Sequence, residues 1–313
     1  MRKNIINKIL FCDACSSEFE LQKNNDKFLL KCKICQKKIN NIRGVFIDNN
    51  LTEKENDDIY NLFWKEININ KTSCKNYPEE ENLLISYKKL IKGKIVLDAG
   101  VGDGRHLEII SRLKPKLIIC VDYSDGIYLA KKRWEDLNLS IPIIFIKAKL
   151  ENLKFKPKSI DFIWCSGVLT IAKNYKEIIS NFIIFSKSII VLGLLSENIW
   201  GKIYYKLNPL KGIFRKMKKK KLLFIFLIPV VMIIILRNLL SFMLKKSHKN
   251  ISLILQNEFS FSKIFSLIQE PFISPTVNNI DNRKLEKSLL RRNFRLKEKT
   301  KGLLISYQVF ERI

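Results

Sequence analysis

The sequence predicts an α/β chain built on a doubly wound, mostly parallel sheet, and three observations carry that prediction. Residues 94–106 read Lys94-Ile95-Val96-Leu97-Asp98-Ala99-Gly100-Val101-Gly102-Asp103-Gly104-Arg105-His106: an apolar run, an acid, three alternate glycines and a helix-like start. Glycines there allow positive φ and let backbone approach a ligand. A second apolar run, Leu117 to Val121, ends in Asp122-Tyr123-Ser124, with Asp122 24 residues after Asp98. Further apolar runs at Ile160–Ser166 and Ile189–Leu195 alternate with helical patterns. Strands alternating with helices read as parallel strands joined by helical crossovers.

The elements follow in chain order. Four of the seven cysteines stand near the N-terminus as Cys12-x2-Cys15, 16 residues, Cys32-x2-Cys35, a spacing that suits a structural zinc site. Four thiolates on two knuckles close a tetrahedral shell and leave no open position for catalysis. Cys74, Cys120 and Cys165 read as single buried residues in a reducing, cytoplasmic compartment. Residues 1–47 form this module, with strands as hairpins, and 48–78 form a polar linker with a helix-spaced aromatic patch, Tyr60, Phe63 and Trp64. Glu79–Ile91 reads as a helix with Leu83, Leu84, Tyr87, Leu90 and Ile91 on one face. The nucleotide-binding type of core spans 79–195, a basic and hydrophobic insertion 196–284, and a return 285–313 with a helix Leu285–Arg292 and strands Phe294–Lys299 and Leu303–Glu311.

The glycine spacing is G-x-G-x-G. It is neither the dinucleotide pattern G-x-G-x-x-G nor a P-loop, which needs G-K-[ST]. Together with Val121-Asp122-Tyr123-Ser124 and Ile160-Asp161-Phe162-Ile163-Trp164-Cys165-Ser166-Gly167-Val168-Leu169, it resembles the class I S-adenosylmethionine-dependent methyltransferases over about residues 80–195. That resemblance implies a Rossmann-like, seven-stranded sheet completed by the C-terminal helix and an antiparallel strand pair. It implies S-adenosylmethionine as cofactor, with Asp98, Gly100, Gly102 and Gly104 facing the methionine part and Asp122 on the ribose hydroxyls. Tyr123, Glu151 and Ser166 complete the expected cofactor-facing set. The chain departs from the family at Ala148–Phe155, where Lys149 stands in place of an adenine-binding Asp, so backbone or Glu151 must supply that contact. Leu169-Thr170-Ile171 stands where relatives often carry histidines. The N-terminal module with Ile42–Phe46 resembles the zinc ribbon ahead of some bacterial methyltransferases, which implies support or partner docking.

The net charge of +27 is unevenly placed: residues 198–257 hold 13 Lys or Arg and no Asp or Glu. Within them, Lys218–Lys221 precede the apolar stretch Leu222–Leu244. Its 23 residues would reach about 34 Å as a helix. A single membrane crossing is argued against, because both flanks of the insertion contribute strands to one sheet. Pro229 also interrupts a continuous helix. The stretch is either a buried helical cap or an interfacial helix on an anionic membrane surface. The protein is therefore expected in the cytoplasm, and peripheral on the inner face of the membrane if the second reading holds.

Methyl transfer needs alignment of a nucleophile with the sulfonium methyl, and a base only where the acceptor loses a proton. His106 and His248 are the chain's two histidines. His106 reads as packing or hydrogen bonding near the cofactor, His248 lies in a basic stretch, and Asp161 sits at the far end of its strand. No catalytic residue is assigned. A small-molecule, glycan or lipid-linked acceptor, methylated on O or N, is the expected substrate. An RNA base is the alternative, with nucleic acid disfavoured because the basic run lacks interleaved aromatics. A non-catalytic methyltransferase-like partner is a further alternative.

Overall fold

The computed structural model describes residues 9–24, 27–48, 51, 78–206, 278, 280–300, 302 and 305–313. The aromatic patch at 60–64, Cys74, His248 and the 218–244 stretch lie outside these residues. The chain divides into two compact units, Met1–Lys202 with Asn278–Ile313, and Ile203–Val277. The first holds all the described elements, except that the last helix before residue 207, Ile199–Lys206, runs on into the second.

In chain order it runs β1 (Leu10–Phe11), β2 (Phe19–Asn24), β3 (Lys27–Cys32), β4 (Lys38–Ile42), β5 (Val45–Asp48), α1 (Pro78–Ser86), α2 (Lys88–Ile91), β6 (Ile95–Ala99), α3 (Leu107–Arg112), β7 (Leu117–Asp122) and α4 (Gly126–Asp136). It continues with β8 (Ile143–Lys147), β9 (Lys154–Phe155), β10 (Ile160–Ser166), α5 (Tyr175–Phe185), β11 (Ser186–Leu195), α6 (Ile199–Lys206), α7 (Asn282–Leu290), β12 (Phe294–Lys299) and β13 (Ile305–Arg312).

The expected Rossmann-like sheet is present. The strand order β8-β7-β6-β10-β11-β13-β12 contains five parallel strands, and β13 runs antiparallel between β11 and β12. Among the described residues the sheet holds eleven strands, where seven were expected. The difference lies at the free edge of β8. There β5 pairs in parallel, Val45 opposite Phe145, and brings β4, β3 and β2 as an antiparallel meander. An open strand edge presents unpaired N–H and C=O groups, and β5 satisfies them.

The strands read as near-continuous apolar runs because both faces are covered; all six residues of β7 are buried. Alternate residues feed two cores. Leu97 and Ile146 face one side, where Phe182 and Phe185 of α5 and Leu289 of α7 pack. Val96 and Ile118 face the other, against Leu84 of α1, Ile110 of α3 and Trp134 of α4. The cysteine-bearing strands join the first side: Leu30, Ile39 and Phe46 belong to the same cluster as Ile146 and Phe155. A short antiparallel pair, Leu10 opposite Phe155 and Phe11 opposite Lys154, ties the N-terminus to the segment after β8.

The helix expected over 79–91 is broken at Tyr87 into α1 and α2. Ser86 Oγ donates to Leu83 O at 2.7 Å, a local bond that competes with helix continuation. The return helix begins earlier than expected, at Asn282, because Asp281 caps it by accepting from Lys284 N at 3.1 Å.

Candidate active site and cysteine cluster

The glycine loop leaves β6 at the C-terminal edge of the parallel strands, and three side chains from different elements hold it. Its start folds back on β7, with Gly100 N and Val101 N donating to Val121 O at 2.8 and 3.0 Å. Gly100 has φ +80°, and a Cβ there would stand 2.0 Å from Val168 Cγ2. Its middle is held by Asp122: Oδ2 accepts from Gly102 N at 2.8 Å, and Oδ1 from Ser124 N and Ser124 Oγ at 2.8 and 2.6 Å. Asp103 is gripped by Arg133 of α4, which reaches its carboxylate at 2.8 Å and its carbonyl at 3.0 Å. A Cβ on Gly104 would stand 2.9 Å from Ala130 Cα, so glycine there lets the loop lie against α4.

The third anchor is Glu80 of α1. Its buried carboxylate meets His106 Nε2 and Tyr307 OH, lies 3.5 Å from Arg105 Nη2, and accepts a long 3.4 Å bond from Ser166 Oγ. Burial opposes its ionisation, but Arg105 and His106 outweigh burial and hold it well below the usual carboxylate range. Its stabilising contribution is present above the unfolded carboxylate range and is lost as pH falls below it. Trp164 lies under this group, stacked on Tyr307 at 5.2 Å and edge-on to His106 at 5.3 Å.

Asp98 sits at the foot of the loop, 1% exposed, with Oδ2 lacking a hydrogen-bond partner among the described residues. Burial pushes its carboxyl up to about 6, against the pull of His106 and Arg105. The folded state thus keeps a proton that the unfolded chain loses, so this group's contribution to stability declines as pH rises from the usual carboxylate range through about 6. A buried carboxylate oxygen without a donor is costly, and a cationic ligand group would satisfy it.

The structure thus brings Asp98, Gly100, Gly102, Gly104 and Asp122 together at the ends of β6 and β7, with half-buried Tyr123 next to Asp122. Ser166 ends β10 and bonds Tyr307 at 2.7 Å, which places it in the Glu80 group. Glu151 lies in the turn after β8, where Asn174 donates to it at 3.3 Å and Asn181 braces the neighbouring carbonyls. Asp161 accepts from Ile95 N at 2.9 Å, at the opposite end of the strands. Glu80, Tyr307 and the Asp103–Arg133 pair were not singled out from the sequence. Glu80 had one signal: it shares the helix face of Leu83, Leu84 and Tyr87, an acid on an apolar stripe.

The four cysteines converge. The sulfurs of Cys12, Cys15, Cys32 and Cys35 lie within 4.8 Å of one another, with Cys12–Cys35 at 3.5 Å and Cys15–Cys32 at 3.4 Å. Tetrahedral zinc with bonds of about 2.3 Å would set sulfur separations near 3.8 Å, so the cluster is of the right size. The two knuckles are alike, each followed by a positive-φ residue, Ser16 (57°) and Gln36 (62°). Lys154 Nζ of β9 donates to Asp13 O in the first knuckle at 2.7 Å.

The chain is similar to a family model and to several known proteins. Residues 97–183 match the family model described as a methyltransferase domain. A curated relative, protein arginine N-methyltransferase 1 of Dictyostelium discoideum, is 32% identical over 80 residues, which cover 26% of this chain and 24% of that protein. The chain thus matches about a quarter of that relative's length. Among solved structures, the magnesium protoporphyrin IX methyltransferase of Synechocystis PCC 6803 with bound S-adenosylhomocysteine is similar with a TM-score of 0.49 at 13% identity, covering 79% of this chain and 89% of that one. A putative S-adenosylmethionine-dependent methyltransferase of Listeria monocytogenes has a TM-score of 0.45 at 11% identity, covering 77% and 100%. The segment that matches this model contains the whole glycine loop and Asp122.

Proposed function

We propose that this protein transfers the methyl group of S-adenosylmethionine to an O or N atom of a small-molecule, glycan or lipid-linked acceptor. The observation that carries the cofactor part is Asp98, a buried carboxylate with one oxygen unpartnered among the described residues, at the foot of a glycine loop. It suits the methionine ammonium. Asp122 already accepts three hydrogen bonds, and a carboxylate has about four acceptor positions, so one position remains for a ribose hydroxyl. Tyr123 and Glu151 would line the adenine side. The bound cofactor supplies an electrophilic methyl on a positively charged sulfur. The chain's own contribution is to fix that group and align the acceptor with it.

Zinc is proposed as a structural ion on Cys12, Cys15, Cys32 and Cys35. Four packed thiolates would repel one another, and a dication relieves that repulsion.

Incubating the protein with methyl-labelled S-adenosylmethionine and a fractionated cell extract tests the acceptor. Label is expected in the small-molecule or lipid and glycan fractions. Label in RNA alone would overturn this reading. Label in protein would favour the second reading, a protein arginine acceptor, which the short match to the arginine methyltransferase supports.

An anionic membrane surface is the proposed partner of the basic insertion at 196–284, whose residues 198–257 carry 13 Lys or Arg without an acid. No helix of the described residues is long and apolar enough to cross a membrane. Each basic residue near an anionic surface contributes on the order of 1 kcal/mol. Co-sedimentation with phosphatidylglycerol vesicles is expected at low salt, weaker at high salt and weaker again when Lys218–Lys221 become Ser. Absence of binding at low salt would contradict it.

A further inference from the structure

We propose that Glu80 is a positioning residue for the cofactor site: it draws Arg105 and His106 away from Asp98 and so keeps that carboxylate open for the ligand's cation. This rests on the reading that the glycine loop binds S-adenosylmethionine.

The loop ends in two side chains able to carry positive charge, Arg105 and His106, just beyond Gly104. Both act on Asp98 and favour its charged form. A buried carboxylate beside two such groups would ordinarily pair with them, since an ion pair is the cheapest way to keep charge in a low-dielectric interior. Here Asp98 Oδ2 is left without a partner among the described residues, while Glu80 takes both: His106 Nε2 hydrogen-bonds Oε2, and Arg105 Nη2 lies 3.5 Å from Oε1. Tyr307 OH adds a donor to Glu80, and Ser166 Oγ bridges Tyr307 and Glu80. Four neighbours from three other parts of the chain hold Glu80, His106 on Oε2 and Arg105, Tyr307 and Ser166 on Oε1. Its consequence for the cofactor runs through Arg105 and His106. It comes from α1, which precedes the matched methyltransferase segment at 97–183.

Without Glu80, Arg105 would turn to Asp98 and compete with the ligand's ammonium. The test compares S-adenosylmethionine affinity by calorimetric titration in wild type, Glu80→Gln, Glu80→Gln/Arg105→Gln and Leu84→Ala. Leu84 is a fully buried core residue of the same helix, and its truncation reports what loosening α1 alone does. Wild-type binding tests the underlying reading by itself. Given that binding, Glu80→Gln is expected to weaken affinity at least tenfold, and removal of Arg105 in the double variant to restore most of it. Leu84→Ala should lower the melting temperature and leave affinity within about twofold of wild type. An unchanged affinity in Glu80→Gln overturns the proposal. So does a double variant no better than the single one, which would mean that Glu80 acts through packing. Should Glu80→Gln not fold, Glu80→Asp with and without Arg105→Gln replaces it: the shorter side chain draws the carboxylate back from Arg105, so weakened affinity that Arg105→Gln restores is expected, and unchanged affinity in Glu80→Asp overturns the proposal.

Discussion

Stripping the proposed zinc from the cysteine cluster is expected to destabilise the whole eleven-stranded unit in a single transition. Small zinc-dependent modules owe roughly 10 kcal/mol or more of apparent folding free energy to the ion. That is comparable with the total stability of an ordinary domain, about 5–15 kcal/mol. From sequence alone the cysteine module would unfold by itself and leave the cofactor domain intact. The structure points to a different outcome, because Leu30, Ile39 and Phe46 share a core with Ile146 and Phe155, and β5 is a parallel neighbour of β8. Losing the knuckles also releases Lys154 from Asp13, next to the turn that carries Glu151. Scanning calorimetry of anaerobically purified protein, with and without chelator, checks this. One transition moved to markedly lower temperature is expected. A metal-free preparation with the same melt would remove zinc from the account, and two separate transitions would restore the independent module.

Gly100→Val is expected to abolish S-adenosylmethionine binding and to lower stability by several kcal/mol. A Cβ at this position would stand 2.0 Å from Val168 Cγ2, and φ is +80°. A left-handed backbone costs a non-glycine residue about 1–2 kcal/mol, and overpacking adds about 1–3. The loop must shift, and Gly102 N would then leave Asp122. Gly93→Ala provides the comparison: its φ is +70°, but a Cβ there meets nothing within 4 Å. It should cost about 1 kcal/mol of backbone strain and leave cofactor affinity unchanged. Equal loss of affinity in both variants would show that global destabilisation, not the loop, controls binding.

Features carried by local spacing were legible in the sequence. The strand ends at Asp98 and Asp122 and the paired cysteine knuckles all lie where periodicity and turn chemistry place them. Features that depend on which edges meet were not. Nothing in Val45–Asp48 announces a parallel strand partner 100 residues away, so the meander read as an appendage and the sheet as seven strands. Glu80 was passed over because an acid near a helix start is ordinary; its burial is decided by Arg105, His106 and Tyr307, the last 227 residues distant. Asp122 was read as a ligand for ribose alone, whereas its carboxylate also holds Gly102 N in place, a bond that only the folded loop reveals.

Calorimetric titration of S-adenosylmethionine into the wild-type protein and Asp122→Ala tests the central claim most directly. Saturable binding at one site per chain is expected in wild type. Asp122→Ala should weaken it by about 1–3 kcal/mol, because Gly102 N and the ribose hydroxyl both lose an acceptor. No saturable binding in folded wild-type protein, or identical affinity in the variant, would contradict the assignment of this loop as the cofactor site.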